Sequence, residues 1–350
     1  MTAAISDGEL GERLAARTLE LVDFPSESRG EGPLADHVME VLRAGGAPVR
    51  DLGDTCVLAG ATTRGERPLV LLAGHLDTVP AQGNRPGRRD AERVHGLGTS
   101  DMKGAVAVML ELALAGARFD CLFFGREELP MAESALTPLL ARERLEAELV
   151  VMMEPTDNAI HAGCLGNINA TWTFSGRAGH SARPWDGDNA IHKAAHGIAA
   201  LAAHEPEEHD FDGLKFYEVV STTMIEGGIA TNVVPDRATA EVNYRYAPGR
   251  SPEEAEARLL ELTAGHGAIE VTSNSPSGPV PLGNPHVERL QADLPTAPKQ
   301  AWTPVAEFGR AGLDAINFGP GEPAQAHRRD ESVRIDALVR AYRVLEAFAA

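Results

Sequence analysis

Cysteine and lysine are scarce in this chain, and basic charge is outnumbered by acidic charge. The three cysteines, Cys56, Cys121 and Cys164, lie far apart and form no C-x-x-C spacing. That pattern argues against a disulfide framework and for a reducing compartment. Cys121 sits in an apolar run and reads as a small buried hydrophobe. Four of the 32 Lys and Arg residues are lysine, and 51 acidic residues bring the formal charge to −19. Such a balance disfavours nucleic acid or an anionic membrane surface as partner. The opening stretch MTAAISDGELGER has no basic segment leading into an apolar one, so no signal peptide is expected and the expected location is cytoplasmic. No apolar run approaches the ~20 residues of a membrane span. With 43% hydrophobic and 24% charged residues the composition is that of an ordinary globular protein. At ~100–200 residues per domain the length allows about two domains.

What is present is an alternation of periodicities. Helical spacing runs over 8–24 and 31–44, with Pro25 and Gly45-Gly46 as stops. A short strand over 55–60 and a turn over 62–68 lead into the run LVLLAGHLDTVP at 69–80. Its first five residues are continuously apolar, as in a strand buried on both faces. A polar, Arg-rich loop over 81–98 precedes an apolar helix over 105–114, for which Ser100 or Asp101 stands at the cap position. Further apolar strands at 120–125 and 149–153 flank a helix at 136–145. Strands alternating with helices predict a mostly parallel sheet.

Near residue 165 the texture changes. Segment 167–175 alternates polar and apolar residues, the pattern of an antiparallel strand with one exposed face. A helix over 189–203, strands over 215–225 and 237–246, a helix over 251–264 with Ser251 and Glu254 as a capping box, and a strand over 269–273 follow. The order β-α-β-β-α-β predicts a ferredoxin-like layer. SNSPSGP at 273–279 reads as a linker, after which α/β texture returns and ends in a helix over 335–349. The fold expected is therefore α/β: a catalytic domain of 1–165 and 275–350, interrupted by an α+β domain of 166–274.

Chemistry concentrates at the carboxyl ends of the apolar strands, where ligands sit in open α/β sheets. The first delivers His75 and Asp77, the second Glu127 and Glu128, the third Glu154, and Asp101 opens a helix beside them. Taken singly, each has a plain explanation: a helix cap for Asp101, a solvated pair for Glu127 and Glu128, loop polarity for His75 and Asp77. Three consecutive buried strands ending in this way are hard to assign to solvation, because converging carboxylates repel unless cations neutralise them. Two divalent cations carry +4. Asp101, Glu128 and Glu154 supply −3, which leaves room for one hydroxide. Nitrogen and oxygen donors without thiolate suit zinc, with cobalt or manganese as alternatives. Adjacent Glu127 and Glu128 diverge in extended chain, so one can bind metal while the other serves as general base. Among His266, His286 and His327, the last follows a strand-like segment and a Gly/Pro loop and is the best candidate for a further ligand.

GHLDTVP, GTSDMKG, the Glu127-Glu128 pair, Glu154-Pro155-Thr156 and the late His327 together resemble the two-zinc amidohydrolase and exopeptidase family over essentially the whole chain. The resemblance implies that His75, Asp101 and Glu154 hold one metal and Asp101, Glu128 and His327 the other. It implies Asp77 as the orienting group for His75 and Glu127 as the base. It further implies a lid that forms a homodimer contact, with His180 of GRAGHSARP reaching the neighbouring subunit's site to stabilise an oxyanion. Asn232 and Arg245 match lid residues that contact substrate. Segments 163–195 and 301–327 are similar to the actinobacterial succinyl-diaminopimelate desuccinylases within the family. The implied substrate is thus an N-acyl amino acid: N-succinyl-LL-2,6-diaminopimelate first, with acetylornithine, another N-acyl amino acid or a small peptide as alternatives. Arg126 departs from the family pattern and would either lower the pKa of Glu127 or pair with a substrate carboxylate. A catalytically inactive metal-binding relative is the remaining class. Against it, every ligand type and the base are present.

Overall fold

The apolar runs of the first block become the centre of one sheet. The structure is a computed structural model that describes residues 5–60 and 70–349, so the turn expected at 62–68 and the first residue of the run 69–80 lie outside the described residues. The chain divides into two units: Met1–Gly163, Val280–Ala297 and Thr303–Ala350 form the first, Cys164–Pro279 and Pro298–Trp302 the second. The expected insertion 166–274 falls inside the second.

The strands of the first unit's sheet are β1 (Val49–Gly53), β2 (Cys56–Ala59), β3 (Val70–His75), β4 (Asp120–Phe124), β5 (Leu149–Met152), β6 (Ile160–Ala162), β7 (Thr296–Pro298) and β8 (Ala315–Asn317). They are arranged β1-β2-β4-β3-β5-β8-β6-β7. β3 pairs in parallel with β4 and β5, and β5 with β8. β2 runs antiparallel to β1 and β4, and β6 antiparallel to β8. Four parallel strands thus form the centre, and their carboxyl ends share one edge. Every residue of β3 and β5 is buried. Burying each Val or Leu there contributes ~1.5–3 kcal/mol, which anchors the polar residues that follow.

Helix α1 (Asp7–Asp23) begins at a Ser6/Glu9 capping box. Helix α2 (Gly32–Ala44) carries Pro33 in its first turn. Helix α3 (Gly104–Leu114) is apolar but for Glu111, which pairs with Arg13 and Arg17 of α1, and it packs against α1 and the last helix, α4 (Ile335–Ala349). Neither Ser100 nor Asp101 caps α3. Residues Thr99–Lys103 form a separate turn in which Asp101 is extended, at φ −128° and ψ 91°. The helix expected over 136–145 closes at Arg142, where Glu143 turns extended.

The second unit's sheet is ordered Glu207–Phe211, Leu214–Gly227, Arg237–Tyr246, Gly166–Ser175, Ala268–Ser275, all antiparallel. The last four strands have the ferredoxin-like order. Glu207–Phe211 is an added edge strand whose sequence, EEHDF, carries no apolar alternation to announce it. Ile168, Ala170, Trp172 and Phe174 are buried with helices Ala190–Ala202 and Pro252–Thr263, while Asn167, Asn169, Thr171 and Thr173 take the other face. Ser251 and Glu254 form the expected capping box. Among the described residues, no helix is long and apolar enough to cross a membrane.

Candidate metal centre

β3 delivers His75 into the protein interior, 1% exposed. Its Nδ1 lies 3.0 Å from the backbone carbonyl of Asp77, so donation there leaves the Nε2 lone pair facing the strand ends. Nε2 is 3.1 Å from Asp101 Oδ1 and 3.9 Å from Glu154 Oε1. The sequence reading assigns the orienting role to the Asp77 carboxylate, but its Oδ1 is 3.7 Å from Nδ1 and the carbonyl makes the bond instead. The carboxylate has other partners: it accepts from Glu127 N at 2.9 Å, Glu128 N at 3.1 Å and the Ser28 hydroxyl at 2.7 Å. Asp77 therefore fixes the backbone of the Glu-Glu pair.

Asp101 sits between two imidazoles. Its Oδ1 meets His75, and its Oδ2 lies 3.5 Å from His327 Nε2, which is also 3.1 Å from Glu128 Oε1. His75, Asp101 and Glu154 present donor atoms within 4.8 Å of one another, and so do Asp101, Glu128 and His327. Both groups are the ones expected, and Asp101 belongs to each. His75, Glu127 and Glu128 form a further such group. His286 instead pairs with Glu148 at 2.7 Å, and in the second unit the ring of His266 stands edge-on to Trp172.

The site also uses residues that the sequence reading missed. Glu331 is 2% exposed and accepts from Gly98 N (2.8 Å), Ser100 N (2.8 Å) and Asp101 N (3.0 Å). Ser28 reaches Asp77 from the loop after α1. Nothing in the local sequence of either residue marks it, since each meets its partner across a long stretch of chain.

The electrostatics show how much charge is concentrated here. Burial pushes the Asp101 carboxyl up, yet hydrogen bonds from His327 and His75 outweigh it and hold the group well below the carboxylate range. Burial disfavours the His75 cation, but the Asp101 hydrogen bond and the Glu127, Asp101 and Asp77 charges raise its pKa well above the usual value. Hydrogen bonds to Asp101 and Glu128 raise His327 to about 10. Burial and then the Glu154 charge push Glu127 well above the carboxylate range. Burial raises Glu331 to about 7 despite its three backbone donors. Protons on His75, His327 and Glu127 thus balance charge that a divalent cation in each donor group would balance in their place. The donor set, imidazole and carboxylate without thiolate, fits such cations. Arg126 donates to Asp54 at 2.6 Å and to the Glu133 carbonyl at 2.8 Å, and Glu127 is raised, not lowered.

Three expected residues belong to the second unit. His180 is exposed on a two-residue strand paired with Val233–Val234, its Nδ1 accepting from Ala182 N. Asn232 lies beside it, its carbonyl accepting from Ser181 N at 3.0 Å. Arg245 is half-buried on the polar face of the sheet, where its Nε donates to Asn243 Oδ1 at 2.9 Å. Asn243 in turn donates to Asn167 and Asn169, each at 2.7 Å. Burial lowers the Arg245 pKa, and no carboxylate pairs with it among the described residues.

Residues 163–269 match the peptidase dimerisation domain of the M20 family. A Mycobacterium tuberculosis protein provisionally named succinyl-diaminopimelate desuccinylase DapE is 36% identical, over 95% of this chain and 96% of that protein. The succinyl-diaminopimelate desuccinylase of Corynebacterium glutamicum is 34% identical, over 95% and 94%. The N-acetyl-L-citrulline deacetylase of Xanthomonas campestris is 31% identical, over 93% and 96%. Among solved structures, aminopeptidase PepT of Bacillus cereus superposes with a TM-score of 0.76 at 18% identity, covering 97% of both chains. The M20 family metallo-carboxypeptidase Sso-CP2 of Sulfolobus solfataricus gives 0.74 at 18% identity, covering 96% of this chain and 98% of that one.

Proposed function

Because the chain belongs to the M20 family of metallo-hydrolases, we propose that it hydrolyses the amide of N-succinyl-LL-2,6-diaminopimelate to succinate and LL-2,6-diaminopimelate. The observation that carries the chemistry is the Asp101 carboxylate, with one oxygen facing the His75 group and the other the His327 group. Two relatives named for this reaction, at 36% and 34% identity over most of their length, support the substrate.

His75, Asp101 and Glu154 would hold one divalent cation and Asp101, Glu128 and His327 a second; zinc is our reading, with cobalt or manganese as substitutes. When bound, the pair polarises the amide carbonyl and makes water acidic enough to attack at neutral pH. Glu127 takes the proton of the attacking water and delivers it to the leaving amine nitrogen. A carboxylate beside both proposed cation positions can take that proton and give it up again. Asp77 holds the backbone of Glu127 and Glu128, whose side chains do not diverge as an extended chain would have them: a carboxylate oxygen of each lies within 4.8 Å of the other. Arg245 grips a substrate carboxylate, its charge being half-buried and without a carboxylate partner among the described residues. Asn232 contacts substrate beside His180, and His180 donates to the oxyanion of the tetrahedral state.

The second unit would be the lid and the contact of a cytoplasmic homodimer. Trp185 and Ile229 are 73% and 88% exposed there, and Met224 and Ile225 are exposed on the same unit. Steady-state rates on N-succinyl-diaminopimelate, N-acetylornithine, N-acetyl-L-citrulline and a dipeptide test the substrate. Activity tenfold higher on any of the last three would overturn it. The 31% identity to an N-acetyl-L-citrulline deacetylase makes an N-acetyl amino acid the second reading, with the same centre and a different acyl pocket. Rescue of a diaminopimelate auxotroph by the gene checks the first reading in vivo.

A further inference from the structure

Asp101 stands three residues ahead of an apolar helix, where an aspartate ordinarily turns back to cap the first turn. Here it does not: α3 has no side-chain cap, and Asp101 is extended. The N–H of Gly104, at the start of α3, bonds to the Thr99 carbonyl instead. The backbone ahead of the helix is held by Glu331, which spends both carboxylate oxygens on it. Its Oε2 accepts from Gly98 N, and its Oε1 from Ser100 N and Asp101 N, all at 2.8–3.0 Å. The Glu331 backbone carbonyl adds a bond from Gly96 N at 3.0 Å. The other end of the turn is tied separately, by Lys103 Nζ to the carbonyls of Leu21 and Phe24, each at 2.9 Å. Glu331 also closes the turn Arg328–Glu331, its own N–H bonding to the Arg328 carbonyl at 3.3 Å, and Arg328 N–H closes the preceding turn on the Gln325 carbonyl at 3.3 Å. Two successive turns thus carry a proposed ligand of the second cation, His327, and the carboxylate that clamps the shared ligand.

We infer that Glu331 is a positioning residue that sets the Asp101 carboxylate between the two cation positions before any cation arrives. The inference rests on the two-cation reading above, and it concerns preorganisation rather than the ligand set. A buried carboxylate whose hydrogen bonds all come from backbone N–H groups, with the Lys103 charge as a weaker counterpart, is a costly way to staple a loop. The cost is explained if the staple fixes a carboxylate that must serve two ions at once, because partners of ligands orient them and tune their affinity.

The test uses the full chain, stripped of metal and titrated with cobalt(II), followed by calorimetry and by visible absorption. The wild type takes up two ions. Glu331→Gln keeps the shape but turns an NH2 group toward backbone N–H groups; it should bind the second ion about 10–100-fold more weakly and show an altered cobalt spectrum. A variant that takes two ions with wild-type affinity and spectrum would overturn the inference. A wild type that binds fewer than two ions would instead sink the two-cation reading. A second measurement needs no variant: amide hydrogen exchange at Ser100 and Asp101 in metal-free wild type. Slow exchange supports the clamp. Fast exchange that slows only when cobalt is added would show that the cation shapes the turn, and would overturn the role given to Glu331 even if the variant failed to fold.

Discussion

Glu127 and Glu128 are the same residue twice, and their surroundings separate them. Glu128 meets His327 at 3.1 Å, whereas Glu127, half-buried, feels the charges of Glu154, His75, Glu128 and Asp101 and is driven toward its neutral form. The proposed base therefore shares the field of the ligands without belonging to either expected ligand set. Replacing Glu127 by Gln should lower kcat about 10²–10⁴-fold while bound metal stays at the wild-type level, checked by steady-state kinetics beside metal analysis. A matching loss of metal would move Glu127 into the ligand set. The imidazoles supply a second prediction. In the cation-free centre His75 and His327 are both raised, His327 to about 10. A folded-state pKa above the unfolded value of about 6.5 adds stability below that value, and the stability is lost as pH climbs through the raised one. Glu127, also raised, works in the same direction from about 4.3 upward. The melting temperature of metal-free protein should therefore fall between about pH 6.5 and about pH 10, while cation-loaded protein, whose histidines are already neutral, shows a shallower fall. Scanning calorimetry at the two ends of that window checks it.

At the scale of elements, legibility follows the range of the forces involved. Continuous apolar runs announced β3, β4 and β5, because burial on both faces leaves no polar position. The carboxyl ends of those strands then placed His75, Glu127, Glu128 and Glu154 on one edge before any contact was known. The Ser251/Glu254 capping box was equally plain, since both partners lie within one turn. What stayed hidden were elements defined by distant partners. β1, β6 and β7 are short flanking strands with partial burial, and Glu207–Phe211 is a charged edge held only by its hairpin. The Thr99–Lys103 turn looked like a helix cap because its true partner, Glu331, is 230 residues away. The bonds of the Asp77 carboxylate to Glu127 N and Glu128 N are equally illegible in the sequence, since they cross from one strand end to the next. The polar face of the second unit yields a prediction at this scale. Asn167, Asn169 and Asn243 form a side-chain ladder that ends on Arg245. Asn243→Ala removes a hydrogen bond to a charged group, worth about 1.5–3 kcal/mol, and frees the guanidinium to rotate. If Arg245 grips substrate, KM should rise by about tenfold with kcat nearly unchanged. An unchanged KM would remove Arg245 from the substrate contacts.

At the scale of the whole molecule, the proposed dimer raises the matter of which subunit completes a site. The first unit holds the proposed metal ligands and Glu127, while the second holds His180 on an exposed two-residue strand. The proposed dimer and the proposed oxyanion role of His180 meet in one experiment. Glu127→Gln lacks the base but keeps His180, and His180→Ala lacks the oxyanion donor but keeps the base. Each variant alone should be nearly inactive. Suppose the two are mixed, dissociated and reassociated. If His180 acts on the neighbouring subunit, each mixed dimer contains one site with base and donor both intact and one site with neither. Random reassociation makes about half the dimers mixed, so activity should recover to about a quarter of the wild-type level. If His180 instead serves its own subunit, every site in every dimer lacks one of the two groups, and mixing restores nothing. Light scattering on the same samples shows whether the protein is a dimer at all. Trp185→Asp, placed on the exposed apolar surface of the second unit, should shift that equilibrium toward monomer and remove the recovery with it. A recovery that survives in monomer would place the gain outside subunit exchange and sink the role of His180 across the dimer.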